Sequence, residues 1–267
     1  MKALILAAGY GTRLQRDLKN DESGNYKQLL NVPKPLLPIG SLPLSSHLMK
    51  MLNKTSNKID KVYLVCNKFY HNQFLQWAEE WPDLEIICDG SLSNEDRPGA
   101  VGCISLAINS ASIQDDLLVL GGDTLFHEDF KIEEFIDCFE RQSKKGSAGL
   151  VTTVICTDED TWKTGIVEVE EDGKISSFLE KVGPEATSSR LSVPCFYLLS
   201  KSSLHQIGNF LEETKNCPLS ERDAPGHFVR YLSERERLHT FPISGRFDVG
   251  SLSSYKQCHA YFLDQVK

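Results

Sequence analysis

The sequence predicts an α/β fold: a mixed, mostly parallel sheet flanked by helices. Three observations carry the prediction. Short runs rich in Val, Ile and Leu alternate with longer helical patterns through the first half, the pattern of strands buried on both faces. The first run feeds directly into a glycine-rich turn, Ala7-Ala8-Gly9-Tyr10-Gly11-Thr12-Arg13. The second half becomes strand-rich and carries a hairpin signal, Glu171-Asp172-Gly173-Lys174, where Asp-Gly supplies the positive φ angles of a tight turn.

In order along the chain, strands are expected at Ala3–Ala8, Lys61–Asn67, Glu85–Cys88 and Asp116–Leu120, with helices near Leu44–Asn53, Asn72–Glu80 and Val101–Ala111. Right-handed crossovers bring the carboxyl ends of such strands to one sheet edge, and open α/β sheets bind ligands there. Farther on, Gly149–Cys156, Gly165–Val169, Lys174–Glu180 and Leu191–Leu199 are predicted strands, followed by helices at Ser200–Thr214 and Ser253–Gln265. The polar stretch Asp17–Tyr26 is predicted to be an exposed loop. A length of 267 residues fits one domain, 1–267, with halves at 1–125 and 126–267.

A net charge of -8 argues against nucleic acid as a partner, since such binding rests on clustered Lys and Arg. It leaves room for a small phosphorylated ligand held by local cations and backbone N–H groups. No apolar run reaches transmembrane length, so no membrane partner is expected. The eight cysteines are dispersed without C-x-x-C spacing, which disfavours both zinc and a disulfide framework and favours reduced thiols in the core. With no secretory pattern at the N-terminus, a cytoplasmic location is expected. Oligomeric state is left open, with a homo-oligomer allowed.

The turn after the first strand allows close backbone approach to a ligand. Thr12 adds a hydroxyl, and Arg13 a forked cation suited to phosphate. The same residues also fit a plain strand-to-helix turn. The dinucleotide fingerprint would need glycine where Leu14 stands, and a P-loop would need G-K-S or G-K-T. Downstream, Pro33-Lys34-Pro35-Leu36-Leu37-Pro38 is stiffened by prolines that disfavour a helix. It either aims Lys34 at a fixed point or leaves a solvated surface lysine. Asp123 follows the run Leu118-Val119-Leu120-Gly121-Gly122 at the predicted binding edge. A carboxylate beside bound triphosphate is repulsive unless a cation lies between them, which points to Mg²⁺; an Asp capping the next helix is the alternative.

The pair L-A-A-G-x-G-T-R and P-K-P-L-L-P resembles the signature of the sugar-1-phosphate nucleotidylyltransferases, typified by glucose-1-phosphate thymidylyltransferase. The resemblance covers Met1 to about Tyr255, with the motifs in the family's order. It implies a Rossmann-like sheet of the nucleotide-diphospho-sugar transferase type, with a nucleotide-binding first half and a β-rich sugar-phosphate-binding second half. It implies that Ala7, Ala8, Gly9, Gly11 and Thr12, with Gly99 and Gly102 of the base loop, bind a nucleoside triphosphate. Arg13, Lys34 and Lys181 would be catalytic. Gly165, Glu180 and Lys181 would hold the sugar phosphate, and Asp123 with Asp248 of Phe247-Asp248-Val249-Gly250 would hold Mg²⁺.

The implied reaction joins dTTP or UTP to a sugar 1-phosphate, above all glucose 1-phosphate, and releases pyrophosphate. Alternatives are transfer to another phosphate such as phosphocholine, or a non-catalytic nucleotide-sugar-binding subunit. Four departures stand out. Val182 replaces the proline after Glu180-Lys181, Cys195 stands where glycine is common, the base loop lacks the usual P-x-G form, and Asp17–Tyr26 is an apparent insertion.

Overall fold

The computed structural model describes residues 1–264. The first half begins with β1 (Lys2–Ala7), α1 (Thr12–Lys19), the two-residue strands β2 (Pro38–Ile39) and β3 (Leu42–Pro43), and α2 (Leu44–Asn53). It continues with β4 (Lys61–Cys66), α3 (His71–Ala78), β5 (Leu84–Cys88), α4 (Gly99–Ser110) and β6 (Leu117–Gly121). β6, β1, β4 and β5 lie side by side and parallel, with Ile5 opposite Leu64 and Leu120.

The reason β1, β4 and β6 are so largely apolar is visible in their two faces. Ala3, Ile5 and Ala7 of β1, Leu64 and Cys66 of β4 and Leu118 and Leu120 of β6 point into one core. Leu4, Tyr63, Val65, Leu117 and Val119 point into the other. Period two splits each strand between two buried layers. One layer is covered by α2, α3 and two helices of the second half. The other is covered chiefly by α4 and by later helices.

The second half contributes β7 (Thr124–Phe126), α5 (Ile132–Ser143), β8 (Gly149–Ile155), β9 (Gly165–Val169), β10 (Ile175–Glu180), β11 (Leu191–Val193) and β12 (Phe196–Leu199). Then come α6 (His205–Glu213), α7 (Pro225–Ser233), β13 (Leu238–Pro242), β14 (Arg246–Asp248) and α8 (Leu252–Asp264). Among the described residues ten strands form one sheet, in the order β10-β9-β11-β8-β12-β6-β1-β4-β5 with β13 on β8. The antiparallel pairing of β12 with β6 carries the sheet across both halves.

Several expectations need adjustment. The single predicted strand 191–199 is two, because Pro194 and Cys195 interrupt it. Leu191 and Ser192 pair with Ile155 and Val154, but Tyr197 pairs with Val151, a two-residue slip that makes a bulge. Asp17–Tyr26 is not loop throughout. α1 runs through Lys19, and Leu18 is buried. The segment's two ends touch the last helix: Leu252 N–H donates to Asp17 Oδ2 (3.3 Å), the Tyr26 ring meets Tyr255 edge-on, and Lys256 Nζ lies 4.5 Å over Tyr26. The segment around Lys34 forms one 3-10 turn, Lys34–Leu36. Proline fits the first turn of a helix, where its missing N–H has no partner to lose. The predicted helix Ser253–Gln265 corresponds to α8; Gln265 lies outside the described residues.

Candidate active site

The glycine-rich turn leaves β1 at the carboxyl edge of the sheet. Gly11 caps α1 in the left-handed region (φ +62°), where a side chain would be strained. A Cβ there would also touch the Lys34 stem, 3.4 Å from Cγ. This close approach lays Lys34 across the turn and brings Nζ to 3.1 Å from Asp123 Oδ2. Gly9 has no such requirement: a Cβ on it would meet nothing within 4 Å.

Asp123 is placed by the sheet. Gly122 N–H donates to Leu6 O (2.9 Å), and a Cβ on Gly122 would stand 2.8 Å from that oxygen and 3.0 Å from Pro35 Cγ. Only glycine lets the end of β6 close against β1 and the Pro-Lys-Pro turn together. Asp123 does not cap a helix. It precedes β7, which pairs with β14 so that Thr124 faces Asp248, and Val249 N–H donates to Asp123 O (2.9 Å). A short ladder thus sets residues 125 apart in sequence side by side. Asp248 Oδ2 accepts from Arg246 Nη1 (3.1 Å). Arg13 comes near on the other flank: a Cβ on Gly250 would lie 3.2 Å from Asp248 Oδ1 and 3.8 Å from Arg13 Nη1.

Glu180 ends β10 and Lys181 follows it. Lys181 takes a left-handed backbone conformation (φ +53°), a strained state that persists where surroundings impose it; its N–H donates to Thr164 O (3.1 Å). Its ammonium lies 3.8 Å from Glu180 Oε1; the Lys181 side chain is 49% exposed, whereas that of Glu180 is 7% exposed. The carboxylate lies over two glycines. A Cβ on Gly165 would be 2.7 Å from Phe178 Cε1 and 3.0 Å from Glu180 Oε2, and one on Gly226 would fall within bonding-scale contact of that same oxygen. Burial pushes the Glu180 carboxyl above its ordinary range, while Lys181 and His227 pull it back in part. Oε2 is buried without a hydrogen-bond partner. An unpaired buried acceptor costs about 1–3 kcal/mol, so this oxygen is poised for a donor from a ligand.

Gly11, Thr12, Arg13, Lys34, Asp123, Gly165, Glu180, Lys181 and Asp248 line one cleft of about 1050 Å³. Ala7, Ala8, Gly9, Gly99 and Gly102 do not line it. Ala8 is tied from behind, its carbonyl accepting from the buried Asn67 amide (3.0 Å). Gly99 (φ +82°) packs against Asp223, whose carboxylate accepts from Ala100 N–H (2.9 Å) and pairs with Arg97 (2.7 Å). Gly102 packs against Pro98. Sequence reasoning missed Arg246 and Tyr197 as lining residues, and Gly226, while Cys195, singled out from the sequence as a departure, does line the cleft. The Gly226 signal was present in Asp223-Ala224-Pro225-Gly226, where proline sets the first helical turn of α7.

Among the described residues no group of three or more His, Cys, Asp or Glu is placed to hold a metal. Asp123 and Asp248 are two carboxylates at the open cleft, 37% and 55% exposed. That set fits Mg²⁺, which keeps several waters and uses one or two carboxylates with substrate phosphates.

The chain matches the nucleotidyl transferase family model over residues 2–265. It is 26% identical to the bifunctional protein GlmU of Methanococcus maripaludis over its whole length, covering 55% of that protein. It is 30% identical to the mannose-1-phosphate guanylyltransferase catalytic subunit beta of Xenopus tropicalis over 210 residues, 78% of this chain and 52% of that one. The chain therefore spans about half the length of the curated relatives it matches. A crystal structure of UDP-glucose pyrophosphorylase superposes with a TM-score of 0.75 at 17% identity, covering 100% of both chains, and so shares the fold. The continuous family match, on a sheet whose carboxyl edge gathers the glycine turn, Lys34 and two carboxylates, shows that this chain belongs to the nucleotidyl transferase family.

Proposed function

We propose that the protein transfers a nucleotidyl group from a nucleoside triphosphate to a sugar 1-phosphate and releases pyrophosphate. The observation that carries this is a single cleft with a phosphate-binding turn and Lys34 at one end and a buried, half-orphaned Glu180 carboxylate at the other. A hydroxyl-rich acceptor supplies the donor that Oε2 lacks.

A phosphate monoester is already anionic, so no strong general base is required. Its oxygen attacks the α-phosphorus in line, a new P–O bond forms, and the bond to the β-phosphate oxygen breaks. The obstacle is bringing two polyanions together, so positioning and charge neutralisation supply most of the rate. Arg13 and the N–H groups of the turn hold the β- and γ-phosphates and the departing pyrophosphate. Lys34 neutralises charge beside the reacting phosphates, and Lys181 steers the acceptor phosphate. Asp123 and Asp248 would hold Mg²⁺, which when bound screens the α-phosphate and incoming phosphate from each other.

The pair we favour is UTP or dTTP with glucose 1-phosphate, in line with the fold shared with UDP-glucose pyrophosphorylase. GTP with mannose 1-phosphate is the competing pair, given the guanylyltransferase relative. Pyrophosphate release across nucleoside triphosphates and sugar 1-phosphates, with phosphocholine as a further acceptor, tests the reading. Release with phosphocholine alone would replace the sugar. Nucleotide binding without any release would replace the enzyme by a binding subunit.

A further inference from the structure

The cleft holds a cation for which the chemistry above has no task. Arg246 and Asp248 stand two apart on β14, so both side chains leave the same face of the strand, and both line the cleft. Phe247, between them, packs on the rings of His127, Tyr261 and Phe262. That aromatic packing fixes which way the neighbours point.

Arg246 is the more enclosed of the pair. Its side chain is 19% exposed, against 55% for Asp248. Among the described residues its guanidinium makes one hydrogen bond, from Nη1 to Asp248 Oδ2 at 3.1 Å. A guanidinium carries five N–H donors, and a largely buried cation with most donors unspent is costly without a ligand. Its positive charge reaches Cys195 and Tyr197, easing their ionisation against a much larger opposing effect of burial. Those residues sit with Glu180 on the acceptor wall, and the Glu180 charge in turn reaches Tyr197. Asp248 is therefore bracketed: Arg13 approaches from the glycine turn and Arg246 from the acceptor wall.

An incoming sugar phosphate must settle near two carboxylates that repel it. Each cation has a carboxylate beside it, Glu180 at 3.8 Å from Lys181 and Asp248 at 3.1 Å from Arg246, but Lys181 is half exposed, so solvent screens its pull more. A shielded, forked guanidinium is better suited to holding a phosphate with two parallel bonds. We propose that Arg246 is a binding residue for the acceptor's phosphate, working with Lys181 and opposite Arg13. This rests on the sugar-phosphate reading above.

The test compares wild type, Arg246→Gln and Arg246→Lys by two measurements. The first is pyrophosphate release with the best substrate pair, varying each substrate in turn. The second is calorimetric titration of glucose 1-phosphate, and separately of inorganic phosphate, into protein saturated with a non-reacting nucleoside triphosphate analogue. Arg246→Gln is expected to raise the acceptor KM and Kd by about 10- to 100-fold, the range for charge-assisted hydrogen bonds, with the triphosphate KM within about twofold. Arg246→Lys, which keeps a cation beside Asp248 but loses the fork, is expected to fall between them.

Unchanged acceptor affinity in both variants, or a loss confined to kcat and the magnesium requirement, would overturn the proposal and leave Arg246 as a counterion of Asp248. Thermal unfolding of Arg246→Lys separates a folding defect from a binding one. If wild type releases no pyrophosphate with any sugar phosphate, the functional reading fails instead, and the inorganic phosphate titration still decides whether Arg246 binds that anion.

Discussion

Gly226→Ala tests the acceptor wall with one methyl group. Gly226 opens the second position of α7 beneath the Glu180 carboxylate, and a Cβ there would lie 2.7 Å from Glu180 Cδ and closer still to Oε2. To regain van der Waals distance, Oε2 must retreat by about 1.5 Å, in a site packed too densely to yield freely. The backbone at Gly226 is not left-handed, so alanine gains helix propensity of about 1 kcal/mol while overpacking costs about 1–3 kcal/mol. Net destabilisation is then about 0–2 kcal/mol, a fall in Tm of at most roughly 4–8 °C for a chain of this size.

Function suffers more. Moving the carboxylate removes a hydrogen bond between a charged group and a sugar hydroxyl, about 1.5–3 kcal/mol, or roughly 10- to 150-fold in acceptor KM. The assay is pyrophosphate release at saturating triphosphate with the acceptor varied. In a Glu180→Ala background the methyl has no carboxylate to displace, so Gly226→Ala should add less than about twofold. An acceptor KM within twofold of wild type in the single variant, or the same penalty in both backgrounds, would refute the reasoning.

Two further outcomes are expected. Lys34→Ala and Asp123→Asn each break the 3.1 Å pair at the reacting end of the cleft; turnover should fall by about 10²–10³-fold or more with the melting transition retained, and near-wild-type product formation in either would remove these residues from the chemistry. Glu180→Gln should stabilise the free protein at neutral pH. Burial raises the Glu180 carboxyl above its ordinary 4.5, so the folded state binds that proton more tightly than the unfolded chain. The cost of ionising it is absent below the ordinary value, grows as pH rises toward the raised value, and is constant above it. Chemical denaturation of both proteins from pH 4 to 8 should show a gap that opens with pH; a gap that closes with rising pH would contradict this.

Much of the fold was legible in the sequence because β1, β4 and β6 are apolar on both faces and their neighbours are amphipathic. The glycine turn and Asp123 were legible for a related reason: each adjoins a buried strand end, and strand ends share an edge; Lys34 was legible from the prolines that stiffen its segment. What the sequence did not show is pairing at a distance. β7 and β14 are three residues each, too short for period two to register, yet their ladder is what sets Asp248 beside Asp123. β13, α5 and α7 were missed as well. The bulge at Pro194–Cys195 also escaped notice, because Leu191–Leu199 looks like one continuous strand. Through it Cys195 O accepts from Gly121 N–H (2.8 Å), which seats Cys195 against the end of β6, where a Cβ on Gly121 would touch both Cys195 Cβ and Asp123 Oδ1 at 3.4 Å. The insertion after Arg13 gave no sequence clue to its contacts; α8 receives it through Tyr255 and Lys256.

The most direct test is a matrix of ATP, CTP, GTP, UTP and dTTP against sugar 1-phosphates, scored for pyrophosphate and for the nucleoside diphosphate sugar, with magnesium and after its chelation. Magnesium-dependent release matched one to one by nucleotide sugar is expected, strongest for UTP or dTTP with glucose 1-phosphate. Pyrophosphate released without any acceptor, or no release in any cell of the matrix, would contradict it.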